Sequence, residues 1–377
     1  MLRSPILENL SSGATVLSPD RGRVVTFDRE GRWLYYFRRG ETFKRSLASE
    51  VHLRFRRGAR QRRRLSQAEA LSLFSEVCDL ARDLEGRTTG EARMRLRDEI
   101  LQWTPERLES ETRRFQSAYR PIAILPPDQY LSVVLQATEG CTWNFCTFCN
   151  FYMDRPFRLR AEGDFEVHAA KVKDLLGNGL LLRRGIFLAD GNALALSNDR
   201  LDPLLNVACQ TFPERDLFGF VDLYSGDRRT VGEWEHLADR GLRRVYIGME
   251  TGLDELLDWV DKPGSALELS GFVQTLKEAG LQTSLIVMVG IGGREYRQRH
   301  RQASRALLLR MPLDQRDLIY LSPFVEHQEG RYHDRRVEAG LTPMDEAEVE
   351  VEISELATDL RRAGLKVSRY DIREFVY

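Results

Sequence analysis

From about residue 130 onward, short apolar runs alternate with helix-like stretches, and this rhythm limits the chain to few folds. Strands are predicted at Leu131 to Gln136, Gly185 to Leu188, Leu217 to Val221, Arg244 to Gly248, Gln282 to Val289 and Asp317 to Leu321. Helices are predicted near Phe165 to Leu176, Asp199 to Cys209, Thr230 to Arg240, Gly264 to Glu278 and Arg299 to Leu309. Strands separated by helices pair in parallel through right-handed crossovers. The fold class expected is therefore α/β, a parallel sheet over residues 121–330, followed by a C-terminal helix and extension over 331–377. Pro121, Pro126 and Pro127 mark where it begins.

Residues 1–120 read differently, as an α+β appendage. Arg23 to Phe27 and Trp33 to Phe37 flank Asp28-Arg-Glu-Gly31 and predict a β-hairpin, and Leu65 to Leu84 and Gly90 to Ala118 carry helical periodicity. With 42% hydrophobic and 30% charged residues over 377 positions, there is material for one large domain and such an appendage. No apolar stretch approaches the roughly 18 to 20 residues of a membrane span. Met1-Leu-Arg-Ser-Pro5 lacks the layout of a secretory signal, so the expected location is cytoplasmic.

Parallel sheets carry their chemistry at the carboxyl ends of the strands. Directly after the first strand stand three cysteines in nine residues, Cys141-Thr-Trp-Asn-Phe-Cys146-Thr-Phe-Cys149. Cys78 and Cys209 are isolated, so the five cysteines do not form a disulfide framework and fit a reducing compartment. A closed structural site needs four ligands, whereas three thiolates leave one metal position open. An alternative is a zinc site closed by a distant histidine in a non-catalytic interaction protein. However, His52, His168, His236, His300, His327 and His333 show no metal-like spacing.

The cysteine loop resembles that of the radical S-adenosylmethionine (radical SAM) superfamily, with four residues between the first two cysteines where the usual pattern has three. The resemblance runs from about Gln129 to Ser322 and implies that the α/β region over 121–330 is a partial (β/α)6 TIM-like barrel. It implies that Cys141, Cys146 and Cys149 hold a 4Fe-4S cluster whose fourth iron is chelated by S-adenosyl-L-methionine. Reductive cleavage would then give a 5′-deoxyadenosyl radical that abstracts hydrogen from a substrate. Phe148 matches the aromatic position near the adenine. Asp190-Gly191-Asn192 stands where the family binds the methionine ammonium, with an amide at the third position, so Asp190 or main-chain carbonyls would supply the oxygens. Glu250 matches a polar contact to the ribose or methionine part, and an acid there also suits the start of the following helix. Gly290, Gly292 and Gly293 resemble the strand end that meets adenine, although a plain strand-to-helix turn has the same letters. Asp222, Tyr224, Tyr320, His327 and Arg331 are candidates for lining a substrate pocket.

An external electron donor of flavodoxin or ferredoxin type is implied as well. The chain has no second cysteine set for an auxiliary cluster. Val325-Glu-His327-Gln-Glu-Gly330 has valine where a cobalamin motif carries aspartate. Rearrangement, dehydrogenation, epimerisation and carbon-carbon bond formation stay open, on a substrate expected to be a small molecule. Arg54 to Arg64 holds seven arginines in eleven residues, and this block alone admits an RNA-modifying alternative. The net charge of −1 favours a solvated segment instead.

Overall fold

The structure, a computed structural model, describes residues 6–10, 13–57 and 59–377. Residues 1–5, where a signal layout was sought, and Gly58 of the arginine block lie outside them.

Among the described residues the N-terminal region is more than a hairpin: it is a seven-stranded antiparallel meander in sequence order. Its strands are β1 (Ile6–Asn9), β2 (Thr15–Asp20), β3 (Arg23–Phe27), β4 (Trp33–Arg38), β5 (Glu41–Arg45), β6 (Val51–Arg57) and β7 (Ala59–Arg64). The expected hairpin is β3–β4. The arginine block lies in the β6–β7 hairpin, with Val51 and Leu53 buried, His52 between them and Arg63 opposite Leu53. Three of its arginines are paired, Arg62 with Glu374 at 2.6 Å, Arg63 with Glu69 at 2.7 Å and Arg64 with Glu50 at 3.0 Å.

One face of the meander packs on α1 (Gln67–Glu85), α2 (Gly90–Arg95) and α3 (Pro105–Ala118) around Trp33, Phe74 and Leu96. The expected single helix of 90–118 is broken by a π-helical turn at Leu96–Ile100. It restarts where Thr104 caps a helix whose first residue is Pro105.

The main sheet contains β8 (Val133–Gln136). A minor pair follows, β9 (Thr138–Glu139) with β10 (Arg158–Leu159). The main sheet resumes with β11 (Ile186–Ala189), β12 (Leu217–Phe220), β13 (Leu242–Glu250), β14 (Gln282–Val289), β15 (Leu318–Pro323) and β16 (Val367–Arg369). Its order is β16-β15-β14-β13-β12-β11-β8, all parallel. The seventh strand, β16, comes from the region read as an extension; at three residues it is too short to stand out as an apolar run.

Between the strands lie α4 (Glu162–Leu176), α5 (Asn198–Thr211), α6 (Leu223–Gly226), α7 (Val231–Asp239), α8 (Asp254–Trp259), α9 (Ala266–Glu278) and α10 (Gly293–Arg310). Then come α11 (Arg331–Glu338) and α12 (Glu346–Arg362). Every residue of β8, β11 and β15 is buried, as expected of strands covered on both faces. No helix of the described residues is long and apolar enough to cross a membrane.

The sheet does not close, and the outer edge of β8 is occupied by side chains. The Tyr377 hydroxyl donates to the Ser132 carbonyl at 3.0 Å and accepts from Val134 N–H at 3.1 Å. The Tyr119 hydroxyl donates to Val134 O at 3.0 Å, and Arg160 Nε donates to Gln136 O at 2.9 Å. His168 Nε2 accepts from Gln136 N–H at 2.9 Å while its Nδ1–H donates to the Ala118 carbonyl at 2.8 Å, which fixes the tautomer. The meander is tied on by Arg32, almost fully buried. It pairs with Asp28 and Glu111 and donates to the carbonyls of Leu175 and Leu176 at 2.7 Å each, capping the end of α4.

Burial pushes the His168 and His300 imidazoles down from 6.5 to about 4. The unfolded chain therefore takes up these protons first as pH falls, so their stabilising contribution is complete above pH 6.5 and is lost towards pH 4. Between pH 7 and pH 5 each should cost about 2 kcal/mol. In urea unfolding at the two pH values, His168→Gln, whose amide oxygen can still accept from Gln136, is expected to lose about that much less than the parent. An equal loss in both proteins would contradict this account.

Candidate functional site

After β8 the chain makes an excursion, residues 140–157, pinched at its base by the β9–β10 pair. Gly140 sits at φ +77°, and a Cβ there would stand 2.8 Å from the Pro156 carbonyl oxygen, so only glycine fits the pinch. The excursion carries Cys141, Cys146 and Cys149, all half-buried and all lining one cavity at the carboxyl ends of the strands. It is held from outside. Thr147 N–H donates to Val260 O at 3.0 Å, Trp143 Nε1 to Asp261 O at 2.8 Å, and the Arg331 guanidinium to Cys146 O at 3.2 Å. Arg331, expected as a pocket residue, thus anchors the loop's backbone.

Burial pushes the Cys146 thiol up to about 12 and raises Cys149. Thiolates here therefore need a cation, and a metal is what makes a buried thiol a ligand. Among the described residues no three His, Cys, Asp or Glu side chains converge tightly enough to hold a single ion. A cuboidal cluster takes each thiolate at a different iron, so three thiols spread around one cavity fit it better than a mononuclear zinc site.

Around the cysteines the strand ends divide into two groups. Gly191, Asp222, Glu250, Phe148 and His327 line the cavity. A Cβ on Gly191 would meet the Tyr152 ring at 2.5 Å, so glycine is required there. Glu250 takes a left-handed φ of +56° and accepts from Lys262 Nζ at 3.2 Å. Burial works against the Lys262 ammonium, but Glu250, Cys146 and Asp222 outweigh it and hold the group charged, above its usual range.

The remaining strand-end residues are turned to protein partners. Asn192, fully buried, accepts from Asp222 N–H at 3.0 Å and donates to Asp222 Oδ2 and to the Thr142 hydroxyl. Thr142 in turn donates to Asp222 at 2.9 Å, so one amide joins the ends of β11 and β12 to the cysteine loop. Asp190 lies behind the cavity wall, 3.9 Å from Arg155; its Oδ2 has no hydrogen-bond partner, and burial raises its carboxyl to about 6 against the pull of Arg155.

Gly290 and Gly292 adopt φ +98° and +80°, but their open sides meet protein: Val349 at 3.1 Å from a Cβ on Gly290 and Tyr296 at 2.8 Å from one on Gly292. Gly292 N–H donates to the Tyr332 hydroxyl at 2.8 Å, while Ile286 and Met288 give β14 its cavity surface. Tyr320 points away from the mouth and donates to Asp128 at 2.6 Å. Tyr224 is exposed beside Trp143, ring centres 5.9 Å apart.

Lys262, Tyr370 and Ile372 are among the lining residues that were not anticipated. Lys262 has a weak sequence signal, Asp261-Lys-Pro-Gly264, a turn in the loop after a strand-end acid. Tyr370 and Ile372 follow a strand too short to recognise.

The bridge made by Asn192 yields a direct test. In Asn192→Asp a carboxylate replaces the amide that donates to Asp222, setting two like charges against each other. Stability at pH 7 should fall by about 2 kcal/mol, read from urea unfolding. The loss should shrink at pH 4, where carboxylates begin to protonate.

Residues 135–301 match the family model described as the Radical SAM superfamily. No curated protein matches the chain. Among solved structures it is similar to coproporphyrinogen III oxidase from Escherichia coli, with 14% identity over 67% of this chain and 56% of that one and a TM-score of 0.47. It is also similar to methylornithine synthase, with 13% identity, 78% and 81% coverage and a TM-score of 0.45. A third is a radical S-adenosylmethionine methyltransferase from Kitasatospora setae, with 16% identity, 57% and 43% coverage and a TM-score of 0.39. The chain spans about half the length of the first and third of these. The cysteine loop lies within the matched residues: 135–301 form a radical SAM domain, of a superfamily whose members use a 4Fe-4S cluster and S-adenosylmethionine.

Proposed function

We propose that this chain is a radical SAM enzyme acting on a small molecule, with Cys141, Cys146 and Cys149 as ligands of the 4Fe-4S cluster. The observation that carries the reading is the set of three thiols opening into one cavity beside Glu250, Lys262 and Gly191. The chemistry the bound cluster supplies is one-electron reductive cleavage of S-adenosylmethionine, the source of the 5′-deoxyadenosyl radical.

The chain's own residues bind, orient and exclude water. Glu250 accepts one hydrogen bond from Lys262 and keeps acceptor capacity for ribose hydroxyls or an ammonium. Lys262 keeps donors for a carboxylate. With Asn192 spent on Asp222 and Asp190 behind the cavity wall, an ammonium bound nearby would fall to main-chain carbonyls. Phe148 closes the cavity beside the last cysteine and packs against the Leu256, Val260 and Tyr332 cluster, which supports a role as a stacking surface. Gly290 and Gly292, spent on protein contacts, have less support as adenine contacts.

The catalytic unit would run from about residue 121 through β16, with residues 1–120 an appendage. A flavodoxin or ferredoxin type donor in a reducing cytoplasm completes the reading. The RNA alternative is not favoured, because Arg62, Arg63 and Arg64 are paired with acids of the chain itself.

Anaerobic reconstitution is expected to give about four irons and four sulfides per chain with broad brown absorbance. Dithionite and S-adenosylmethionine should then yield 5′-deoxyadenosine, falling to background in Cys146→Ala. Zinc without sulfide in the wild type would overturn the reading.

A further inference from the structure

The open side of the sheet lies between its two edge strands, β8 and β16. Residues 370–377 cross that gap. Tyr370 N–H donates to Leu321 O at 3.0 Å on one side, and the Tyr377 hydroxyl engages Ser132 and Val134 on the other. Between them the Phe375 ring lies 5.6 Å from Tyr130. The segment is pinned from behind by the N-terminal meander. Arg62 pairs with Asp371 at 3.3 Å and with Glu374 at 2.6 Å, and Leu47 N–H donates to Tyr377 O at 3.0 Å. The lateral route into the barrel is therefore walled, and the cavity opens at the mouth, beside the exposed His327.

The inner face of this wall is Tyr370 and Ile372, which meet Ile124, Tyr152, Met288 and Phe324 around the cavity. The charged lining is confined to the cysteine side, as Asp222, Glu250 and Lys262. On the proposed function those three face the cofactors. The rest of the space offers Asn150, Ser322, His327, Tyr152 and Tyr370 among apolar side chains, and neither arginine nor a second lysine.

We infer that the substrate is a small, uncharged, largely apolar molecule, and that Tyr370 and Ile372 set its size. An anionic or phosphorylated molecule would lose its hydration against this wall with no cation to replace it. A polymer would find the side entrance blocked. The inference rests on the proposed function, because that reading separates the cofactor end of the cavity from the substrate end.

The test is equilibrium dialysis of the reconstituted enzyme with S-adenosylmethionine present, using two probes of nearly the same shape. N-phenyl-1-naphthylamine is neutral, and 1-anilinonaphthalene-8-sulfonate adds one negative charge. The neutral probe is expected to bind at one site per chain, and the anionic one at least tenfold more weakly. Ile372→Arg should reduce binding of the neutral probe at least tenfold, and the milder Ile372→Ala, which keeps the wall apolar, severalfold. Equal affinity for the two probes, no saturable binding of the neutral probe, or neutral binding unchanged in both variants would overturn the inference. Failure of the underlying reading is separately visible, as missing iron and sulfide in the wild type rather than as missing probe binding.

Discussion

The outer edge of β8 is the constraint on which the rest of this structure depends. A buried parallel strand with an unpaired edge leaves amide and carbonyl groups that cost about 1–3 kcal/mol each if nothing satisfies them. A closed barrel would meet them with another strand. Here phenols, an imidazole and a guanidinium do so: Tyr377, Tyr119, His168 and Arg160 take the groups of Ser132, Val134 and Gln136. These side chains come from the last residues of the chain, from the end of the appendage, from α4 and from the return of the cysteine excursion. The open barrel is thus a specified state, and each element that caps the edge is also fixed in position by it.

The same economy of partners shapes the site. Asn192 spends its whole amide on Asp222 and Thr142, and Arg331 donates to the backbone of the cysteine loop. Thr147 and Trp143 tie that loop to Val260 and Asp261, the two residues that follow α8. A loop that must present three thiols cannot use them for its own folding, so the ties come from neighbouring side chains and carbonyls. Polar residues near the cysteine loop therefore divide between those that hold it and those that face the cavity, and sequence position alone does not separate them.

That division explains what could be read from the chain. The parallel strands were legible because strands buried on both faces read as apolar runs, and β11, β14 and β15 stand close to where those runs lie. Six strands of the main sheet announced themselves; β16 did not, because three residues carry no period. The meander was legible only at β3–β4. Its remaining strands carry charge or a proline, as Ser18-Pro-Asp20 in β2 and the arginines of β6 and β7, and their inward residues alternate with ions that mask the pattern. The cysteine triplet was legible as three thiols in nine residues, and the fold brings all three to one cavity. The facing of Asp190, Asn192, Gly290 and Tyr320 was not, since which way a strand-end side chain turns is set by partners distant in sequence, such as Arg155, Asp222, Tyr296 and Asp128. Lys262 and Tyr370 reach the cavity by the same kind of long-range placement.

The appendage therefore reaches the site without lining it. Arg32 caps the end of α4, and α4 supplies His168 to the edge of β8. Arg62 and Leu47 brace the segment that carries Tyr370 and Ile372. Arg62 meets two acids, Asp371 and Glu374, and Asp371 is itself buried and also served by Arg369 and Arg373, so the contact is a network rather than an isolated surface pair. Networks of this kind hold geometry better than single exposed pairs, which contribute little. Without the meander the segment would keep its bonds to β15 and β8 but lose its backing, and the cavity wall opposite the cysteines would rest on one short strand and one phenol. Through Arg62, whose guanidinium meets Asp371 and Glu374, the arginine-rich hairpin is part of the structure that shapes the cavity.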